Sequence, residues 1–118
     1  MHNFKELSVW KKARELTKKV YILLQNLPDH EKYSLILQIQ KSCISIPSNI
    51  AEGSGRGGTK EFIHFLNIAY GSAFELETQI ILSHDIGYIN QIEMETITES
   101  IHEIQKMIYG LIQHNKKT

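Results

Sequence analysis

The sequence predicts an all-α fold, an antiparallel up-down-up-down four-helix bundle, and three observations carry that prediction. Apolar residues recur at alternating four- and three-residue spacing along four long stretches, the period of a helix with one buried stripe. Short turns separate the stretches, marked by Pro28-Asp29, by the glycines between Gly53 and Gly58, and by Gly87 with Asn90. Only two prolines occur in 118 residues and aromatic content is low, which leans the composition towards helix. Long amphipathic helices on short turns must run antiparallel to their neighbours. A chain of this length is expected to form one domain, residues 1–118, with a core that needs no staples. There is no linker and no repeat of solenoid period.

The first helix is expected from about Ser8 to Asn26, its seam made by Val9, Ala13, Leu16, Val20, Leu23 and Leu27. Pro28 stops it, because proline disfavours helical geometry in the residue before it. The second is expected from Asp29–Glu31 to Glu52, with Leu35, Ile36, Ile39, Cys43, Ile46 and Ile50 on one arc. Pro47 falls inside it and removes a backbone donor, so a kink is expected where the periodicity passes through. The opposite arc, Gln38, Ser42, Ser45, Asn49 and Glu52, is small and mostly uncharged, so either another chain packs closely against it or it stays bare to meet a ligand. Packing is favoured, because small residues let backbones approach. Gly53–Gly58 is the hinge, with a left-handed glycine expected at the helix end.

The third helix spans about Lys60 to Asp85, with Thr59 as its expected N-cap and Glu61 in its first turn. Phe62, Leu66, Ala69, Ala73, Leu76 and Ile80 form its seam. Ile63, Tyr70, Phe74 and Ile81 form a second apolar line about 80–100° away, surplus to one partner surface and open equally to cover by helices of the same subunit or to a place in a subunit interface. Asn90 and Glu93 fit a capping box for the fourth helix, whose seam is Met94, Ile97, Ile101, Ile104, Ile108 and Leu111. The polar tail from His114 is expected to fray.

Composition excludes several classes. The single cysteine, Cys43, forbids an internal disulfide and sits in an apolar run, which suits a buried hydrophobe in a reducing cytoplasm. No apolar run approaches membrane-spanning length and the N-terminus has no apolar signal core. Formal net charge is zero, yet residues 1–60 hold ten Lys/Arg against five Asp/Glu, while residues 61–118 hold three against eight. Such asymmetry bears on steering and self-association rather than on fold.

No complete catalytic site is present, so no catalytic residue, cofactor or metal is assigned. Glu61-Phe62-Ile63-His64 and Glu99-Ser100-Ile101-His102 have the Glu-x-x-His spacing of di-iron bundles. By helical phase, however, both pairs point away from their seams, whereas ligands must project inward. Gly53-Ser54-Gly55-Arg56-Gly57-Gly58 formally matches G-x-G-x-x-G, but no strand precedes it. Gly58 is followed by Thr59-Lys60, which also breaks the P-loop pattern. Glycine-rich backbone, Arg56, Lys60 and a helix N-terminus still favour a phosphate or carboxylate. The best nucleic-acid surface is on the first helix, where Lys11, Arg14 and Lys18 share an outward stripe flanked by Trp10 and Tyr21. An ordinary solvated basic face, with Glu15 and Lys19 paired, reads the same residues without a ligand.

The stretch Ser45-Ile46-Pro47-Ser48-Asn49-Ile50-Ala51-Glu52-Gly53-Ser54-Gly55-Arg56 resembles the signature of bacterial four-helix-bundle proteins encoded in intervening sequences of 23S ribosomal RNA genes. Phe4-Lys5-Glu6-Leu7-Ser8-Val9-Trp10-Lys11-Lys12-Ala13 is similar to their opening. So are Glu61-Phe62, Phe65-Leu66-Asn67-Ile68-Ala69 and Gly71-Ser72-Ala73-Phe74-Glu75-Leu76-Glu77-Thr78-Gln79, and the resemblance covers about residues 4–90. It implies an up-down bundle assembled as a ring-shaped homopentamer, without enzymatic activity, that binds RNA or other nucleic acid. A related branch is the accessory variability protein of diversity-generating retroelements, a basic pentamer that partners a reverse transcriptase; this chain departs from it in being neutral overall. The resulting expectation is a cytoplasmic, non-enzymatic homo-oligomer that binds nucleic acid through Lys11, Arg14, Lys18, Arg56 and Lys60. The alternative is an assembly module acting only through protein contacts, with the acidic fourth helix of one subunit against the basic first helix of another.

Overall fold

The computed structural model describes residues 3–117, which fold into four helices and, among the described residues, no strand. They are α1 (Ser8–Leu23), α2 (Leu35–Ser54), α3 (Thr59–Ile86) and α4 (Gln91–Lys116). The bundle measures 46 × 24 × 20 Å. α3 packs against α2 and α4, and α1 closes the other side against the same two helices. Among the described residues no helix is long and apolar enough to cross a membrane.

Every predicted seam residue of α1 is buried. The helix stops at Leu23 rather than Asn26, and one 3-10 turn, Leu24–Asn26, follows. Leu27 is then extended (φ −83°, ψ 145°), as the proline behind it requires.

The second helix also starts later than its periodicity suggests. Asp29–Glu31 is a separate 3-10 turn, and Ser34 (φ −123°, ψ −101°) breaks the chain before α2. The Glu31 carboxylate organises this break. It accepts hydrogen bonds from Ser34 Oγ, from the Leu35 amide at the start of α2, and from Tyr88 Oη at 2.7 Å. One amide and two hydroxyls around that carboxylate stand where the sequence pattern implies a helical turn.

α2 runs unbroken through Pro47. The proline leaves the Cys43 carbonyl without its amide donor, and Thr17 Oγ1 on α1 lies 3.2 Å from that oxygen and 2.9 Å from its own Ala13 carbonyl. One hydroxyl thus ties α1 to the point where α2 lost a hydrogen bond. The middle of the small polar face of α2, at Ser42 and Ser45, packs against α3 of the same chain rather than against another chain, while Gln38 and Glu52 are exposed. Ser45 Oγ lies 2.7 Å from Ser72 Oγ, and Ser42 Oγ donates to Glu75 at 2.7 Å. Small side chains there let the two backbones approach.

The hinge differs from its expected form. α2 continues through Gly53 and Ser54, Gly55 keeps right-handed geometry, and the left-handed glycine is Gly57 (φ 77°). Thr59 is the first residue of α3 rather than its cap; Gly58 holds that position without a side-chain bond. At the far end of α3, Gly87 is left-handed (φ 98°), with Tyr88 N donating to Ser83 O and Gly87 N to His84 O. Asn90 and Glu93 form both bonds of the capping box that opens α4. α4 stays helical to Lys116, past the point where the polar tail was expected to fray. Its buried line ends on Ile112, with Leu111 half-buried.

Candidate nucleic-acid interface

Because successive helices alternate in direction, one end of the bundle collects the start of α1, the end of α2, the start of α3 and the end of α4. Residues lining shared depressions fix this arrangement: Gly53 to Thr59 lie beside Asn115, and Leu7 to Val9 lie beside Met107 and Leu111. Residues 3–14, 46–71 and 106–117, which make up this hinge end, carry nine Lys/Arg against three Asp/Glu. The remaining residues, 15–45 and 72–105, carry four against ten. A chain of zero net charge is therefore polarised along its long axis.

Lys11, Arg14, Arg56 and Lys60 all belong to the basic end and all are exposed. Lys18 is exposed too, but it lies one turn further along α1, in the half where carboxylates prevail. Lys5, Lys106, Lys116 and Lys117 join the basic end, which the linear sequence did not reveal. Alternating helix direction is the signal that would have found them.

The chain's two arginines share an environment. The Arg14 guanidinium sits 5.6 Å from the Trp10 ring centroid, and the Arg56 guanidinium sits 5.0 Å from that of Phe65. Stacking on an aromatic face restrains a guanidinium while leaving its edge donors available to an anion. Arg56 Nε also lies 3.5 Å from Glu52 Oε2, so its charge is partly matched. Among the described residues no carboxylate pairs with Arg14. Trp10 in turn is braced by Phe4, edge to face at 5.1 Å.

The glycine-rich hinge encloses only about 80 Å³ between Gly53, Gly58, Phe62 and Asn115, far below the several hundred Å³ of a ligand pocket. It acts as a connector that sets Arg56 and Lys60 at the surface. A larger groove of about 390 Å³ runs between α1 and α2, with Trp10 and Arg14 on one wall and Ile44, Pro47, Ser48 and Ala51 on the other.

Other polar clusters tie neighbouring helices together at the surface of the bundle. Lys12 Nζ meets Glu103 at 2.6 Å across α1 and α4, and the Glu103 hydrogen bond raises the ammonium's pKa. His102 Nε2 and Gln105 Nε2 bind the two oxygens of Glu77 at 2.6 and 2.9 Å. Burial works against ionisation of Glu77, but the hydrogen bonds from Gln105 and His102 outweigh it and lower its pKa. His64 packs edge-on against Phe65, and Glu61, His64, Glu99 and His102 are all exposed. Among the described residues no group of three or more His, Cys, Asp or Glu side chains is placed to hold a metal ion. Burial pushes the Cys43 thiol up to about 11, which keeps it protonated and unreactive.

The comparisons agree with this architecture. A crystal structure described as a protein with unknown function from the S23 ribosomal protein family of Bacteroides thetaiotaomicron superposes with a TM-score of 0.82 at 30% identity. The match covers 88% of this chain and 97% of that one. No curated protein matches the sequence significantly. The family model described as 23S rRNA-intervening sequence protein matches residues 5–110, nearly the whole bundle. The chain belongs to the 23S rRNA-intervening sequence protein family.

Proposed function

We propose that this is a non-catalytic, oligomeric cytoplasmic protein that binds RNA or another nucleic acid through its basic end. Lys11, Arg14, Arg56 and Lys60 supply the main phosphate contacts, and Lys18 extends them along α1. One observation carries the reading: nine cations against three anions gather at one end of a neutral bundle. That end also holds both ring-stacked arginines. A field of that shape steers a polyanion to one end and repels it from the other.

The oligomeric part rests on apolar surface that the single chain leaves uncovered. Phe74 is 45% exposed, Ile81 39% and Tyr109 51%, and Tyr70 lies between Phe74 and Tyr109 at ring distances of 5.0 and 6.2 Å. The same patch favours the second reading, an assembly module acting through protein contacts alone. Family resemblance makes the expected assembly a homopentamer. The basic-to-acidic contact that the second reading invoked between subunits has a counterpart inside one chain, where Lys12 meets Glu103.

Binding to a structured RNA at several salt concentrations tests the first reading. Affinity should fall on a log–log plot with a slope of about −0.9 per phosphate neutralised. The double substitution Lys11→Glu with Arg14→Glu should abolish binding and leave the oligomer intact by light scattering. No binding near about 50 mM salt, or binding indifferent to salt, sinks the nucleic-acid reading. Loss of the oligomer in that variant supports the assembly reading instead.

A further inference from the structure

The groove between α1 and α2 differs in charge from three other grooves on the bundle. Those are lined by Glu15 and Glu103 with Lys12 and Lys19, by Glu93 with Lys19, and by Glu6 alone, so each of the three carboxylate-bearing grooves is neutral or negative in formal charge. The α1–α2 groove has no carboxylate in its lining and one cation, Arg14. Its volume of about 390 Å³ falls within the range of small-ligand sites. Its surface is otherwise mostly apolar: the Trp10 ring, Ile44 at 44% exposure, the Pro47 ring and the Ala51 methyl. Pro47 and Ala51 stand one helical turn apart and neither carries a long side chain, which leaves the trough open between the helices.

An apolar trough with a restrained guanidinium at its edge matches one ligand chemistry, a flat aromatic ring joined to a phosphate. We infer that this groove takes an unpaired nucleotide of a single-stranded nucleic acid. The base lies against the apolar wall, its phosphate meets Arg14, and the neighbouring phosphates meet Lys11 and Lys18. The inference rests on the polyanion reading above and narrows it to unpaired strands. A duplex has its bases inside, so it reaches the cations but not the trough. Every base offers a π-face, so the site tolerates sequence.

Trp10 is the chain's single tryptophan, and its emission therefore reports on this groove alone. A short single-stranded RNA of mixed sequence, and the same RNA annealed to its complement, are titrated into the oligomer at about 50 mM salt. Label anisotropy gives affinity and Trp10 emission gives occupancy. Charge density alone favours the duplex, so tighter single-strand binding with a change in Trp10 emission confined to the single strand supports the inference. Ser48→Phe, at an exposed helix position, fills the trough without altering charge. It should lower single-strand affinity by about tenfold, the scale of one stacked base, and spare the duplex. Arg56→Glu with Lys60→Glu should weaken both. Equal or tighter duplex binding with unchanged emission overturns the groove and leaves the polyanion reading standing. Failure of both RNAs to bind overturns the two together. Emission that varies with protein concentration alone, with Ser48→Phe dissociating the oligomer, assigns the groove to a second copy and overturns the inference.

Discussion

Gly53→Ala should destabilise the bundle although it removes a glycine from a helix. Gly53 lies in the last turn of α2, where a Cβ would come 2.8 Å from Phe65 Cβ and 3.1 Å from Phe62 Cδ1. Comfortable carbon–carbon contact is about 3.5–4.0 Å. Phe65 Cβ is fixed to the α3 backbone and cannot rotate away, so α2 and α3 must separate. Overpacking of this kind costs about 1–3 kcal/mol, while replacing a helical glycine by alanine returns about 0.5–1 kcal/mol. Gly110 supplies the control. It lies inside α4 with no atom within 4 Å of an added Cβ, so Gly110→Ala should stabilise by the propensity gain alone. Subtracting the two cancels propensity and leaves the overpacking cost, about 1–3 kcal/mol. Urea denaturation followed by circular dichroism, at one protein concentration for all variants, measures it. Equal stabilisation by both substitutions would refute the close approach of α2 and α3. The consequence reaches the basic end, because Arg56 stacks on the same Phe65 that sets the spacing.

Three further outcomes follow from hydrogen bonds that the bundle makes between elements. Thr17→Val should cost about 1–3 kcal/mol by leaving the Cys43 carbonyl unpaired, and less in a Pro47→Ala background, where the alanine amide serves that carbonyl; additive costs in the urea cycle would refute the link. Hydrogen bonds from Ser34 and Tyr88 hold the Glu31 carboxylate below its usual 4.5, so its contribution is present above that pH and is lost as acid carries the pH down through the folded value. Tyr88→Phe should therefore shrink the acid loss of stability without removing it, since Glu77 is lowered by its own partners. The Tyr88 phenol is raised above 10.0 by its hydrogen bond to Glu31, so wild-type stability should also fall as pH rises through the folded phenol value, a loss absent from Tyr88→Phe. Urea midpoints across pH decide both; parallel profiles for the two proteins would count against the Glu31–Tyr88 bond.

Periodicity made the helices and their buried faces legible because it records burial directly. Val9 to Leu23 in α1 and Phe62 to Ile80 in α3 are buried as the spacing predicts. Helix ends were harder to read where they depend on contacts distant in sequence. The late start of α2 needs Tyr88, 57 residues beyond Glu31, to complete the carboxylate's partners. That α2 continues through Pro47 was readable from its periodicity, but the partner of the freed Cys43 carbonyl, Thr17 on α1, was not. The polar arc of α2 signalled close packing and suggested another chain, but the neighbour is α3 of the same chain, which only the fold brings there. The site residues follow the same rule. Their exposure was readable from helical phase, but the company of Lys5, Lys106 and Lys116 depends on how the helices alternate.

That alternation changes what the charge pattern means. The sequence halves are close to two sides of the bundle. Residues 1–60, which take in α1, α2, the hinge and the first two residues of α3, hold ten cations against five anions, and the rest of α3 with α4 and the tail holds three against eight. Folding adds a second division, between the two ends. The two divisions cross, and the corner where both are positive comprises residues 3–14 and 46–60, with six cations against two anions. The opposite corner, residues 72–105, holds seven anions and no Lys or Arg. The α1–α2 groove opens on the first corner, between Trp10 and Arg14 on one helix and Pro47 and Ser48 on the other. On the proposed reading, a polyanion drawn by the long-range field would meet there the one groove in the comparison that offers an apolar wall without a carboxylate. Screening acts on the field over about 10 Å at 0.1 M salt, but it acts far less on contacts inside the groove. Salt should therefore weaken single-strand binding less steeply than duplex binding, because only the single strand keeps an interaction that salt does not reach.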